Sequence, residues 1–271
     1  MKKFGVKYSD IIRSFEIEED LDQLQARVKS SGGRSGAFFY FTADREFVLK
    51  TVTSEELILL RSMIKDYCDH VSDQEGSYLS RIFGIYKIKI DKTSTFRMIL
   101  MENLASRLST PVIFDMKGST TDRRVSVNTF KEISDMPRNV VYKDVDFAEN
   151  VGYFKVTGEE SQNILPKLER DTKLLKKHMI MDYSLLIMME KVKSLRNTLV
   201  EKNYVATHGS YIIFIGIIDF LQTYNTKKKL EHNYKKLKSN KNVQLSAISP
   251  KPYKKRFLTM ANKIFRREAV N

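Results

Sequence analysis

A short, strongly apolar segment followed by an acidic residue limits the folds that are open to this chain. The longest apolar run is Ile212–Ile218, interrupted by Gly216, and Asp219 follows it. A helix that crosses a bilayer needs about 20 apolar residues, whereas a run of this length suits a buried strand. The segment Tyr211–Ile218 therefore predicts an interior strand that ends at an aspartate.

The composition is typical of a soluble globular protein. The chain has 271 residues, of which 42% are hydrophobic and 30% charged, so it fits one domain or two closely joined lobes. No apolar stretch follows the basic N-terminus, which argues against a secretory signal. The single cysteine, Cys68, excludes an internal disulfide framework and a multi-cysteine zinc site. We expect a cytoplasmic protein whose contact with membranes is peripheral.

The first hundred residues predict strands together with helical segments. An aromatic hairpin is expected from Ala37–Thr42 and Phe47–Val52, and further strands from Ser80–Lys89 and Thr95–Met101. Helical spacing predicts a helix over 18–28 and a second helix that Ser54 caps. The predicted buried stripe of this second helix is Leu57, Leu60 and Ile64.

The second half predicts two helices in addition to its strands. One helix is expected over Glu160–Met179, and another begins near Pro252. Between them, Met181–Met189 is interpreted as a loop that enters a strand, and residues 191–203 as a polar loop. The apolar faces of the two helices are Ile164, Leu168, Leu175 and Met179 in the first, and Tyr253, Phe257, Met260 and Ile264 in the second.

A glycine-rich turn precedes the aromatic hairpin, at Gly32, Gly33 and Gly36. Because glycine has no side chain, its backbone amide can approach a phosphate closely. Such a turn alone is also compatible with an ordinary hinge. Lys50 lies within the apolar strand that follows, where a lysine either is paired or extends to the surface. Glu56 in the next helix is a candidate partner. In this order the four features indicate a kinase-type nucleotide-binding lobe.

Two aspartates adjoin strongly apolar sequence, Asp182 in MDYSLLIMM and Asp219 in IIFIGIIDF. Such carboxylates suit a magnesium ligand and a group that accepts a hydroxyl proton, while a capping role is the alternative for either one alone. Lys117, followed by Gly-Ser in a turn, is a further candidate for phosphate contact. The protein-kinase signatures HRDxxxxN and DFG are absent, so the chain is not an ordinary protein kinase.

The excess positive charge is concentrated near the C-terminus. Residues 226–267 contain 14 basic residues and one acid, Glu231, so this segment has a net charge of +13. The net charge of the whole chain is +14. This basic block predicts attraction to a polyanion, which charge alone does not identify as an anionic lipid surface or a nucleic acid. No nucleic-acid-binding signature accompanies it, so we expect no nucleic acid partner.

Five segments, in this order, resemble the phosphatidylinositol phosphate kinase family: SGGRSGAFFYFTADREFVLKT, FDMKGST, KDVDF, MDYSLL and GIIDFLQTYNTKKKLEH. The resemblance extends from about Val6 to Phe265. It implies an α/β (α+β) kinase-like fold with antiparallel sheets and two lobes, residues 1–103 and 104–271, with ATP in a cleft between them. The region between Met189 and Tyr204 is far shorter than in most members.

The resemblance also implies the roles of individual residues. The residues implied in ATP binding are Gly32, Gly33, Ser35 and Gly36 of the covering loop, Lys50 with Glu56, and Met101, Asn103 and Leu104 of the adenine-contacting hinge. Asp182 is implied as the catalytic aspartate, aided by Lys50 and Lys117. Asp219, with Asp182, is implied to hold Mg²⁺.

The segment after Asp219 resembles the loop that selects the lipid substrate in this family. Lys228 and Lys229 correspond to its membrane-docking pair, and Glu231 is the residue typical of enzymes that phosphorylate the 5-hydroxyl of phosphatidylinositol 4-phosphate. The implied partner is therefore a phosphoinositide in an anionic membrane surface. Preference for the 5-phosphate or 3-phosphate lipid, and a catalytically impaired binding module, remain alternatives. The oligomeric state is left open.

Overall fold

The chain forms a mixed α/β structure that divides into two compact units. One unit is Met1–Ser72 with Ser80–Arg107, and the other is Asp73–Leu79 with Leu108–Asn271. The sequence predicts a single boundary after residue 103 and gives no sign that Asp73–Leu79 belongs with the second unit. The computed structural model describes residues 6–15, 27–30, 37–89, 95–106, 108–126, 128–191, 205–223 and 249–267.

An antiparallel sheet of five strands forms the first unit, in the order β1-β2-β3-β5-β4. Both predicted hairpin strands and both later strands are confirmed. Val28 begins a strand, so the predicted helix over 18–28 is wrong at its end, and most of it lies outside the described residues. The strands are β1 (Val28–Ser30), β2 (Phe38–Phe41), β3 (Phe47–Thr51), β4 (Ile82–Lys89) and β5 (Thr95–Glu102).

Two helices accompany this sheet, α1 (Tyr8–Phe15) and α2 (Ser54–Val71). The N-cap of α2 is Thr53, whose hydroxyl accepts a hydrogen bond from the Glu56 amide while the Glu56 carboxylate accepts one from the Thr53 amide. The predicted cap, Ser54, is therefore wrong, because this reciprocal arrangement needs the hydroxyl three residues before the glutamate.

The buried face of α2 is centred on Leu60, Met63 and Tyr67. Leu57 is also buried, but Ile64 is 38% exposed, so the predicted stripe is wrong at its last member. The arc is therefore centred away from Ile64, on the side that holds Leu60, Met63 and Tyr67. Tyr67 closes this face with its hydroxyl, which donates to the Ser80 carbonyl and accepts from the Ile82 amide, both at 2.8 Å.

A second sheet of five strands forms the core of the second unit, in the order β10-β11-β9-β6-β7. Its central strand, β9, is antiparallel to both neighbours, whereas β6 and β7 are parallel. The predicted interior strand is confirmed as β11, most of which is buried. The strands are β6 (Val112–Met116), β7 (Val141–Tyr142), β9 (Ser184–Lys191), β10 (Ala206–His208) and β11 (Tyr211–Ile218), and a separate parallel pair is β8 (Phe154–Val156) with β12 (Phe265–Arg267).

Three α-helices are described in the second unit: α3 (Asp144–Asn150), α4 (Gly158–Lys177) and α5 (Pro250–Ile264). The predicted helix over Glu160–Met179 is confirmed as α4, but its last apolar member is wrong. Met179 follows the end of the helix with a φ of 57° and is 51% exposed. In the part of the chain that the structure describes, no helix has the length and apolar character needed to cross a membrane.

The C-terminal helix α5 packs through the face that the sequence predicts. Tyr253, Phe257, Met260 and Ile264 are all buried. The ring of Tyr183 meets the rings of Tyr253 and Phe257 edge to face, with centroids 4.7 and 5.0 Å apart. Aromatic pairs of this geometry add to the stabilisation from burial. The helix is thereby fixed against the segment that leads into β9.

Candidate functional site

The second sheet brings three sequence-predicted residues to one edge. The last residue of β6 pairs with the second residue of β9, and the first residue of β9 pairs with the last residue of β11. Lys117 directly follows β6, Asp219 directly follows β11, and Asp182 lies two residues before β9. Because β9 runs antiparallel to both neighbours, these three positions lie at the same end of the sheet.

Lys117 and Asp182 form an ion pair at this edge. The Lys117 Nζ lies 3.0 Å from the Asp182 Oδ1, and the two side chains are only 16% and 22% exposed. A hydrogen bond between charged groups is stronger than one between neutral groups, and partial burial reduces its screening by water. The sequence predicts both residues as site candidates but does not predict this contact.

Both candidate aspartates adopt a left-handed backbone conformation. The φ angles are 66° at Asp182 and 58° at Asp219, a region that residues with a side chain enter rarely and aspartate more readily than most. The two segments run side by side, since the Met181 amide donates to the Gln222 carbonyl at 3.1 Å. Uncommon backbone conformations of this kind concentrate at functional sites.

Asp219 is exposed, while the next two residues, Phe220 and Leu221, are buried and fix the chain that carries it. Among the described residues there is no group of three or more His, Cys, Asp and Glu side chains able to cage a metal ion. Magnesium in nucleotide sites needs only one or two carboxylates, because phosphate oxygens and water complete its shell. Asp219 and Asp182, two hard oxygen donors at one edge, fit that requirement.

The turn that carries Lys117 is held by Asp144, a residue for which the sequence predicts no role. The Asp144 carboxylate accepts hydrogen bonds from the backbone amides of Lys117, Gly118 and Ser119, with shortest distances of 3.1, 2.6 and 3.3 Å. It also accepts one from Arg123 Nε at 2.7 Å. The KDVDF segment around Asp144 contributes to the family resemblance, but its spacing alone does not reveal this contact.

Arg123 is a buried cation between two carboxylates. It is 8% exposed, and its Nη2 lies 2.8 Å from the Asp115 Oδ1 while its Nε contacts Asp144. Burial by itself lowers the pKa of Arg123, but Asp115 and Asp144 outweigh this effect and raise it. An acid within an apolar strand, Asp115, is the sequence signal from which a buried charge network was predictable.

The C-terminal helix contacts the same turn from another side. Arg256 Nε donates to the Lys117 carbonyl at 3.2 Å, and its guanidinium lies 4.8 Å from the ring centroid of Tyr253. The Tyr253 hydroxyl donates to the Tyr183 carbonyl, one residue after Asp182. Helix α5 therefore supports both members of the ion pair.

Part of the basic block thus has a structural role that the charge count does not predict. Arg256 contacts the Lys117 turn. The Lys254 Nζ lies 3.5 Å from the Glu169 Oε1, and the Arg266 guanidinium carbon lies 4.2 Å from the ring centroid of Tyr153. Other basic residues of the described block are exposed, namely Lys251, Lys255, Lys263 and Arg267. The predicted specificity residues Lys228, Lys229 and Glu231 lie outside the described residues.

In the first unit, Lys50 is buried in β3 at 8% exposure, and its Nζ lies 5.6 Å from the ring centroid of Phe39. The Glu56 carboxylate caps α2 by accepting from the Thr53 amide at 2.8 Å, a structural contact that was not predicted for it. The pairing of Lys50 with Glu56 stays a prediction. The predicted glycine loop with Gly32, Gly33, Ser35 and Gly36 lies outside the described residues.

The predicted hinge residues begin at the end of β5. Met101 pairs with Val48 in the sheet. Asn103 fixes the chain after the strand, because its side-chain amide donates to the Arg45 carbonyl at 2.7 Å and its backbone amide to the Glu46 carbonyl at 3.0 Å. Contacts of Met101, Asn103 and Leu104 with adenine remain predictions.

Comparison with known proteins identifies the family. The family model described as phosphatidylinositol-4-phosphate 5-kinase matches residues 21–208 and 188–264. The chain belongs to the phosphatidylinositol phosphate kinase family. The predicted resemblance is confirmed, and the Lys117–Asp182 pair connects two of the segments on which it was based.

Named relatives of the chain differ in the lipid isomer that their names specify. The chain is 28% identical to human phosphatidylinositol 5-phosphate 4-kinase type-2 beta, over 94% of this chain and 72% of that protein. It is 27% identical to phosphatidylinositol 4-phosphate 5-kinase 3 of Arabidopsis thaliana, over 97% of this chain and 43% of that protein. A Dictyostelium discoideum protein named "probable phosphatidylinositol phosphate kinase" is 28% identical, and the chain spans 44% of its length.

The contact between the Lys117 turn and α5 predicts the response to an added methyl group at Gly118. Gly118 has a φ of 70°, and a Cβ built there meets the Arg256 carbonyl oxygen and the Met260 Cβ, both at 3.2 Å. Gly118→Ala combines backbone strain with overpacking and should lower the free energy of unfolding by about 2–4 kcal/mol. Urea denaturation measures this change.

Gly209→Ala is the matched control for this substitution. Gly209 has a similar φ of 57°, but a Cβ there meets nothing within 4 Å. We expect this variant to lose only the backbone term of about 1–2 kcal/mol. Equal losses in the two variants would contradict the packing of α5 on the Lys117 turn.

Proposed function

We propose that the protein is a lipid kinase that transfers the γ-phosphate of ATP to the 5-hydroxyl of phosphatidylinositol 4-phosphate. The observation that carries this proposal is the 3.0 Å contact between Lys117 and Asp182, beside the end of β11 that bears Asp219, in a member of this family. Phosphoryl transfer needs a positioned acceptor hydroxyl and positive charge around the transferred group. These residues supply both requirements.

Asp182 is the group that accepts or positions the proton of the inositol hydroxyl. A general base must lie within hydrogen-bond reach of the proton it takes, and Asp182 remains partly exposed at 22%. Its contact with Lys117 restricts the carboxylate to one orientation. The same ammonium group places a positive charge where negative charge develops on the transferred phosphoryl group.

Asp219, together with Asp182, would hold Mg²⁺, which when bound neutralises charge on the phosphates of ATP. The exposure of Asp219 leaves its carboxylate accessible to an incoming nucleotide. Lys50 orients the ATP phosphates in this proposal, together with the loop that contains Gly32, Gly33 and Gly36. Most of the catalytic effect then comes from positioning and charge neutralisation.

Peripheral contact with the cytoplasmic face of membranes is part of the proposal. Lys251, Lys255, Lys263 and Arg267 are exposed, and the sequence adds further lysines over residues 227–241. Each basic residue near an anionic leaflet contributes about 1 kcal/mol of binding. Several acting together suffice to keep the kinase at the surface that contains its substrate.

The identity of the preferred isomer rests on Glu231. This residue occupies the position in KKLEH at which 5-kinases of the family carry a glutamate. The relative named as a 5-phosphate 4-kinase makes the 5-phosphate lipid the second candidate substrate. A catalytically impaired phosphoinositide-binding module is disfavoured by the retention of Lys50, Asp182 and Asp219.

Incubation with labelled ATP, Mg²⁺ and vesicles tests the proposed activity. Phosphatidylinositol 4-, 5- and 3-phosphate are supplied separately in anionic vesicles, and the product headgroups are separated. We expect label chiefly on the 4-phosphate lipid, giving the 4,5-bisphosphate. No label on any lipid, from folded protein that binds the vesicles, would contradict the kinase proposal.

Asp219→Asn and Asp122→Asn serve as a matched pair in this assay. Both aspartates are exposed and have similar φ angles of 58° and 56°, so asparagine fits either backbone. We expect Asp219→Asn to lower turnover by about 100-fold or more through loss of the metal carboxylate. Asp122→Asn should keep nearly full activity, and an equally active Asp219→Asn would refute the metal assignment.

Glu231→Ala tests the isomer assignment. We expect the ratio of activity on the 4-phosphate lipid to activity on the 5-phosphate lipid to fall by about 10-fold, since one hydrogen bond contributes about 1 kcal/mol and about 1.4 kcal/mol changes a rate tenfold. Asn233→Ala, in the same segment, is the control and should leave the ratio unchanged. An unchanged ratio in Glu231→Ala would show that the choice of isomer lies elsewhere.

A further inference from the structure

We propose that Asp144 is a positioning residue for Lys117, and that Arg123 holds Asp144 in place. This inference rests on the proposed function, because Lys117 acts there at the phosphoryl group. Asp144 touches no reacting atom in this account. It fixes the backbone from which the Lys117 side chain reaches Asp182.

The Asp144 carboxylate accepts hydrogen bonds from every residue of the turn 117–119. The Lys117 amide lies 3.1 Å from Oδ1 and 3.2 Å from Oδ2, and the Gly118 amide lies 2.6 Å from Oδ1. The Ser119 amide and Arg123 Nε complete the set. Three consecutive amides directed at one carboxylate allow the turn little freedom to rotate, so they fix the starting direction of the Lys117 side chain.

Burial makes this arrangement depend on charge. Asp144 and Arg123 are each 8% exposed, so water compensates poorly for a lost hydrogen bond. An ionised carboxylate only accepts hydrogen bonds, whereas an asparagine turns a donor NH₂ group toward some of the same donors. Asp144→Asn therefore keeps the size of the side chain but places its NH₂ group against another donor, either one of the backbone amides or Arg123.

Asp146 allows a positioning role of Asp144 to be distinguished from simple capping of the helix. Asp146 also lies in the first turn of α3, is 1% exposed and accepts from three backbone amides. Its donors are the amides of Lys143, Val125 and Ser126. The Asp146 carboxylate thus stabilises a loop and the helix start, while the Asp144 carboxylate contacts the turn of Lys117. Asp146→Asn is the matched control for Asp144→Asn.

Steady-state kinetics on phosphoinositide vesicles test the proposal. We expect Asp144→Asn to lower kcat by about 10- to 100-fold, the order of loss for a misplaced reacting group, with little change in KM for ATP. Asp146→Asn should lower kcat by no more than about threefold at comparable loss of stability. In a Lys117→Met background, Asp144→Asn should have little further effect, because the residue acts through Lys117.

Amide hydrogen exchange provides a readout that needs no catalysis. We expect exchange at residues 117–119 to accelerate in Asp144→Asn and to stay near wild type in Asp146→Asn. This pattern supports the contact even if the wild type phosphorylates no phosphoinositide, a result that would remove the proposed function instead. Any one of three results would overturn the inference. The first is unchanged amide exchange at residues 117–119 in Asp144→Asn, and the second is an equal loss of kcat in Asp144→Asn and Asp146→Asn. The third is an undiminished effect of Asp144→Asn on kcat in the Lys117→Met background.

Discussion

The ion pair between Lys117 and Asp182 is the interaction on which the candidate site of the second unit depends. Its members come from different segments, and each reaches the contact only because another part of the fold holds it. The antiparallel register of β6, β9 and β11 brings their positions to one edge. Asp144 fixes the turn that carries Lys117, and the left-handed backbone conformation at Asp182 sets the direction of the Asp182 side chain.

Partly buried charges at this edge are matched by partners of opposite charge or by backbone donors. Arg123 lies between Asp115 and Asp144, and the Asp144 carboxylate also accepts from the amides of the Lys117 turn. Such networks contribute little net stability compared with apolar packing, but breaking one member leaves an uncompensated charge. Their value here is geometric, since they determine where Lys117 and Asp182 lie. The aromatic face of α5 adds stabilisation beneath the same residues.

Elements with strong periodicity could be predicted from the sequence. The apolar run that forms β11 and the apolar face of α5 are local patterns, and both are confirmed. The errors lie where local pattern is insufficient. Ile64 lies at the edge of a buried arc whose centre is fixed by tertiary packing, and Met179 follows a helix that ends two residues earlier.

The residues of the candidate site could be proposed from the sequence, but most of their contacts could not. Asp182 and Asp219 are conspicuous because each is a charged residue beside apolar sequence, and Lys117 because Gly-Ser follows it. Asp144 lies 27 residues from Lys117 along the chain, and Arg256 lies 139 residues from it. Pairings across such separations depend on the strand register and helix docking of the whole unit, which no local spacing specifies.

In the proposed mechanism, Lys117 and Asp182 act as one unit in phosphoryl transfer. A double-mutant cycle on kcat, with Lys117→Met, Asp182→Asn and the double variant, tests it most directly. The exposed pair Lys65–Asp69 on α2, at a similar 2.9 Å, provides a control cycle that should leave kcat unchanged. We expect the double variant to be no slower than the slower single variant. Effects that multiply in the double variant would show that the two residues act independently and would contradict a joint role of Lys117 and Asp182.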